Sequence, residues 1–309
     1  MGKRKIMRRE LNQKTAWTRH VLLVVGVLVG TFIVNSAHAQ KLENSLLWEV
    51  KGNGIAPSYL YGTFHLLPQE DFNLSEKVTT AFDQSEQIVL ELDMDDPNMQ
   101  MEMMQNIAMT DGSTLDQLIG EEDLKLLDEQ LKAAANLGVD QVNTFKPFMV
   151  ETFLLPTFIE GTPASYEMSF VKRAVDQEKE ILGLETVKFQ TSLFDQIPYE
   201  DQVDDLVEML RDRSTMEQMF AFMIKTYNEE NISKLYDASV DYFSETELEL
   251  LLHQRNQDWI AKMGDLAKEK STFFAVGAGH LGGEQGVIQL LKEAGYKVKP
   301  VKKVKLASK

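Results

Sequence analysis

The 309-residue sequence has no cysteine. That excludes disulfides, thiolate metal sites, iron–sulfur clusters, a cysteine nucleophile and lipid attachment through cysteine. Positive charge is also scarce, with 32 Lys and Arg against 48 Asp and Glu and a net charge of −16. Much of what there is crowds at the start, where Lys3, Arg4, Lys5, Arg8, Arg9, Lys14 and Arg19 face Glu10 alone. The rest is therefore more acidic still, a surface that repels nucleic acid and anionic lipid, and neither is expected as a partner. There is no G-x-S-x-G elbow, no P-loop and no H-E-x-x-H. No apolar run after residue 40 is long enough to span a membrane. Of five histidines, His20 and His38 precede residue 40, so only His65, His253 and His280 are left to consider.

What is present begins with an address. The basic start is followed by an apolar run from Val21 to Val34 and by Ala37-His38-Ala39, small residues at the two positions a signal peptidase inspects. Residues 1–39 are expected to be a signal peptide and 40–309 a single exported domain, touching membrane only through the signal before cleavage. An uncleaved anchor is the alternative, although the run falls short of the ~20 residues a spanning helix needs. The basic tail (Lys297, Lys299, Lys302, Lys303, Lys305, Lys309) reads as the frayed end of a last strand.

At 43% hydrophobic and 26% charged, the composition is that of a globular protein. Strands are expected at 45–51 and 58–64, joined by a hairpin turn at Asn53-Gly54, and at 87–93, 272–276 and 296–301. In 87–93, Ile88, Leu90 and Leu92 lie on one face and Val89, Glu91 and Asp93 on the other. The middle reads as helical. One stripe is Leu124, Leu127, Leu131 and Ala135, with Gly138 as its C-cap; others are Val203, Leu206, Val207 and Leu210, then Met216, Met219, Phe220 and Met223. Ser244-Glu245-Thr246-Glu247 is a capping box opening a helix with Leu248, Leu251, Leu252 and Trp259 on its face. The expected fold is α/β, a mixed sheet of N- and C-terminal strands with a large helical middle.

Two of the histidines end strand-like segments in glycine-rich turns, Gly62-Thr63-Phe64-His65 and Gly277-Ala278-Gly279-His280. Glu91 sits near the same end of its own strand. In α/β sheets ligands gather beyond the carboxyl ends of strands. If those strands are neighbours, two imidazoles and a carboxylate converge, a set that suits a divalent metal with an open position. The competing reading is three separate, solvated or structural side chains. Gly277, Gly279 and Gly282 also satisfy G-x-G-x-x-G, but no acidic residue follows about 20 positions on to hold a ribose. Arg255 falls on the apolar stripe after Ser244, where a guanidinium needs an anionic or carbonyl partner. It is either an ion pair with Glu185 or Glu91, or a clamp for substrate or transition-state charge. His253 lies off the stripe and is expected in solvent. Met94, Met99, Met101, Met103, Met104 and Met109 read as flexible packing or a mobile lid rather than a copper site.

Taken together, Tyr59-Leu60-Tyr61-Gly62-Thr63-Phe64-His65, Val89-Leu90-Glu91-Leu92-Asp93, Gly183-Leu184-Glu185-Thr186 with Gln190, Arg255-Asn256 with Trp259, and Gly277-Ala278-Gly279-His280 resemble the TraB/GumN family over residues 45–301. The resemblance implies a fold related to erythromycin-esterase-like and haem-binding ChaN-like proteins. It makes His65 and His280 the histidines of two GxxH motifs and Glu91 the family's glutamate, and it sets Arg255, Asn256 and Glu185 at recurrent positions. It also implies the chemistry of the animal Tiki proteins, which are metal-dependent proteases favouring manganese or cobalt. On that basis His65, His280 and Glu91 are the expected metal ligands. Glu91, Arg255 and Asn256 are the expected catalytic groups, with Glu185 in support. The expected activity is an exported hydrolase, periplasmic or secreted in a bacterium, with manganese or cobalt ahead of zinc and a peptide or protein as substrate. The alternative is an envelope binding protein that captures haem, metal or peptide without catalysis. Where the family has Gly-x-Asp, this chain has Ser165-Tyr166-Glu167, which leaves Glu167 without an assigned role.

Overall fold

A computed structural model describes residues 42–302. The expected signal segment, 1–39, and Lys303, Lys305 and Lys309 of the tail lie outside them. The strands are β1 (Leu47–Gly52), β2 (Ile55–Thr63), β3 (Leu67–Pro68), β4 (Gln87–Leu92), β5 (Pro163–Ala164), β6 (Glu180–Glu185), β7 (Thr272–Gly277) and β8 (Lys297–Pro300). Six form one mixed sheet in the order β6-β4-β7-β2-β1-β8, and β3 pairs with β5 in a separate two-stranded piece. The run from β6 to β2 is parallel, while β1 is antiparallel to both β2 and β8. The α/β class with a helical middle is as expected.

The β1–β2 hairpin closes at Asn53 and Gly54, with φ of 49° and 77°, the left-handed pair that a two-residue hairpin loop requires. In β4, Ile88, Val89 and Leu90 are all buried, because a central parallel strand is covered on both faces. Tyr61, Phe82, Phe170 and Phe273 form one aromatic cluster against the sheet, with Tyr61 stacked on Phe273, Phe82 stacked on Phe170, and the other pairs edge-on or tilted. Trp259, Met263 and Ala267 of helix Gln254–Glu269 join the same sheet core. A second apolar cluster, with Leu127, Leu131, Val150, Leu206 and Phe220 among its members, holds the middle helices together.

Three local expectations are corrected. The edge strand β6 comes from the middle of the chain, where Gly183 weakens the strand pattern. A Cβ at Gly183 would meet the Asp93 backbone nitrogen at 2.5 Å, so close strand packing requires that glycine. Gly138 does not end the helix Glu121–Ala135; Asn136 does, in the left-handed conformation at φ 55°, and Gly138 caps the start of the next helix. The capping box at Ser244 forms as expected, but its helix runs only Glu245–Leu248 before a π-helical turn, Glu249–His253, leads into Gln254–Glu269. The wider turn shifts the helical register and carries His253 into the interior rather than into solvent. Among the described residues no helix is long and apolar enough to cross a membrane.

Candidate functional site

β4, β7 and β2 are neighbours, so Glu91, the turn after Gly277 and the turn after Thr63 emerge side by side at the carboxyl edge of the sheet. Gly277 stands between them. A Cβ built there would lie 3.4 Å from Glu91 Oε1 and 3.5 Å from both His65 Nε2 and His280 Cδ2. The two histidines and the carboxylate thus surround a space that only a glycine at 277 keeps open.

Helix Gln254–Glu269 brings Arg255 and Asn256 to the same place on its first turn, and both are buried. Arg255 Nη2 donates to Glu91 Oε2 at 2.5 Å and to Glu185 Oε2 at 2.9 Å, and Nε donates to Glu185 Oε1 at 2.9 Å. Its Nη1 reaches the Leu251 carbonyl at 2.9 Å and lies 3.3 Å from His280 Nε2. The guanidinium therefore has both carboxylates anticipated for it, and a carbonyl besides. Trp259 Nε1 and Gln190 Nε2 also donate to Glu185, at 2.9 and 3.0 Å. The Gly277 N–H donates to Glu91 Oε1 at 2.8 Å. Burial alone would raise the Glu91 carboxyl; Arg255, the two histidines and the Gly277 N–H outweigh it and hold the group well below the usual carboxylate range.

The two imidazoles differ in their surroundings. Asn256 Nδ2 donates to the Gln285 carbonyl at 2.8 Å, which turns Oδ1 toward His280 Nδ1 at 2.7 Å. That network assigns the His280 proton to Nδ1 and leaves Nε2 with a lone pair. Burial, then Arg255, push His280 down to about 3, so it is neutral at ordinary pH. His65 lies in the open. Its side chain is 69% exposed, and Nδ1 meets Glu167 Oε1 at 2.7 Å. The Glu167 carboxylate raises the imidazole above its ordinary value, and water at so open a ring screens the pair.

Glu167 is thus the side chain whose place the sequence left open; it orients His65, and Ser165 Oγ holds its second oxygen at 2.8 Å. His253 bonds Tyr236 and Gln285, one step behind Asn256, and was not anticipated. Of the glycines in G-x-G-x-x-G, Gly282 serves packing. A Cβ at Gly282 would strike the Ile232 carbonyl and Tyr236 at 2.8 Å. Met101 and Met104 are exposed while Met109 is buried. Among the described residues, no group of three or more His, Asp or Glu side chains is arranged to hold a metal ion.

No curated protein and no solved structure matches the chain. The model of the TraB/PrgY/gumN family matches residues 46–300, and the chain belongs to that family.

Proposed function

We propose that this chain is an exported, metal-dependent hydrolase that cleaves an amide bond in a peptide or protein, with its centre at His65, His280 and Glu91. The observation that carries the reading is the space at Gly277, bordered by those three side chains within 3.4–3.5 Å of one point.

The donor chemistry fits a divalent cation. His65 and His280 each fix Nδ1 against an acceptor, Glu167 and Asn256, and so direct Nε2 away from it. That is the backing which metal-ligating histidines ordinarily have. Glu91 Oε1 accepts one N–H and keeps a further lone pair. Family resemblance favours manganese or cobalt over zinc. A bound divalent cation supplies Lewis-acid polarisation of a carbonyl and a water of lowered pKa.

The chain's own residues do the rest. Arg255, locked to Glu185, fixes the Glu91 carboxylate in one orientation and keeps it ionised. Glu91 is then placed either as a ligand or as the acceptor of a water proton. Arg255 and Asn256, expected as catalytic groups, are buried with their donors taken by Glu91, Glu185, Leu251 and Gln285, so they act by holding Glu91 and His280 in position. His65, open to solvent, faces an arriving substrate, whereas buried His280 forms the rear wall.

The test compares the purified chain with His65→Ala and His280→Ala after chelator stripping. Manganese, cobalt and zinc binding are measured by equilibrium dialysis, and cleavage by mass spectrometry of a peptide library. Stoichiometric binding lost in both folded variants, with metal-restored cleavage lost alongside, is the expected result. A folded wild-type chain that binds none of the metals, or a variant with full cleavage, overturns the reading.

A further inference from the structure

Apart from the sheet edge, the helical middle encloses a pocket of about 230 Å³. It lies among helices Pro147–Leu154, Tyr199–Arg211, Arg213–Asn228 and Ile232–Tyr242. Phe148, Phe194, Met209, Met216, Phe220 and Tyr242 make much of its wall, with Phe148 and Phe194 stacked at 3.8 Å. Three carboxylates, Glu151, Asp205 and Glu247, line the same pocket, and no Lys, Arg or His does.

Glu247 has a structural task, since its carboxylate accepts from the Ser244 N–H and hydroxyl at 2.7 and 2.6 Å. Glu151 has none. It is 8% exposed, lines the pocket, and among the described residues its carboxyl makes no hydrogen bond or ion pair. A buried carboxyl without a partner is costly, and a helix interior facing phenylalanine and methionine does not call for one. Burial first, then Asp205 and Glu247, raise its pKa well above the usual carboxylate range. A positive charge arriving in the pocket would ease both the desolvation and the mutual repulsion.

The walls say what kind of cation fits. A calcium ion takes six to eight oxygen ligands, and magnesium keeps several waters; here Glu247 already accepts from Ser244, and the carboxylates stand in a wall that is mostly apolar. An organic cation can present its apolar body to those side chains and its charge to the carboxyl. Aromatic faces add attraction for the ammonium, and methionines adapt to the outline of the body. We propose that this pocket binds a primary amine carried on a compact apolar body, with the ammonium on Glu151 and the body against the phenylalanine and methionine wall. Leu251 lines the pocket while its carbonyl accepts from Arg255, so the amine site is one residue away from the candidate centre.

The probes are phenethylamine and its neutral isostere 2-phenylethanol, titrated calorimetrically at pH 7 into the full chain. The amine is expected to bind at least about tenfold more tightly. Glu151→Gln is expected to bring the two probes within about twofold, and Ala238→Trp, which fills the pocket wall, to abolish both. Equal affinity for amine and alcohol, a preference that survives Glu151→Gln, or no binding of either overturns the inference. Amine binding is expected unchanged in His65→Ala, so failure of the hydrolase reading and failure of this one are separate results.

Discussion

Replacing Arg255 with methionine removes the guanidinium and keeps much of its length and apolar stem. The structure allows the cost to be estimated. Arg255 carries the charge-assisted bonds of two buried carboxylates, Glu185 at 4% side-chain exposure and Glu91 at 13%. It also satisfies the Leu251 carbonyl. Removing one partner of a buried ion pair leaves an uncompensated charge and typically costs about 3–5 kcal/mol. Here Trp259 and Gln190 still donate to Glu185, and Gly277 to Glu91, which points to the lower half of that range. At roughly 2–4 °C per kcal/mol for a domain of this size class, the melting temperature falls by about 10 °C.

The pH dependence makes the reasoning stricter. In the native chain the Glu91 pKa is depressed, so its ionisation contributes stability that is present above the unfolded-state value and lost as pH falls through the folded one. Without Arg255 that depression weakens. The deficit of Arg255→Met should therefore be greatest at pH 7 and shrink as pH falls from about 5 to about 3.5. Urea denaturation of both proteins across that range is the assay. Adding Glu185→Gln to Arg255→Met should cost less than the two single changes summed, by about 1.5–3 kcal/mol. A deficit under about 1 kcal/mol at neutral pH, one that does not vary with pH, or an additive double mutant refutes the account.

Gly277→Ala should fold normally, because φ is −51° and the new methyl makes ordinary contacts at 3.4–3.5 Å. It should nevertheless lose cation binding by filling the shared space, which calorimetric melting and a metal titration together would show. Glu167→Gln should let the His65 pKa fall back toward its ordinary 6.5, since the carboxylate is the main influence raising it; an NMR titration of the ring reads this directly. Glu151→Gln should stabilise the chain at pH 7 and not at pH 4. The folded-state pKa of Glu151 is raised, so the native protein loses stability as pH climbs above the unfolded-state value and glutamine does not. Urea midpoints at the two pH values are the check.

The parts of this architecture that could be read from sequence are those whose cause is local. Asn53-Gly54 supplies two left-handed residues wherever it occurs between strands, and Ser244 with Glu247 closes a capping box with no help from the rest of the chain. The convergence of His65, Glu91 and His280 was half legible. Glycine-rich turns marked the strand ends, but the strand order β4-β7-β2, on which everything depends, follows from packing across nearly the whole chain. His253 shows where periodicity fails. A helical count is valid only while the turn stays at 3.6 residues, and one π-helical turn between Leu248 and Gln254 moved a supposed solvent residue inside.

Glu167 marks the limit more sharply, because nothing near it in sequence points to His65, 102 positions away. What joins them is the smallest element of the fold. Leu67 of β3 pairs with Ala164 of β5, and Pro68 with Pro163. His65 precedes the first strand by two residues, and Glu167 follows the second by three, on the opening turn of helix Tyr166–Asp176, which Ser165 caps through the Met168 N–H. Two-residue strands containing proline leave no alternation to detect. Their pairing is nonetheless what delivers an orienting carboxylate to an exposed histidine. With its carboxylate 2.7 Å from His65 Nδ1, the glutamate of Ser165-Tyr166-Glu167 has, in the folded chain, the role that the sequence left open.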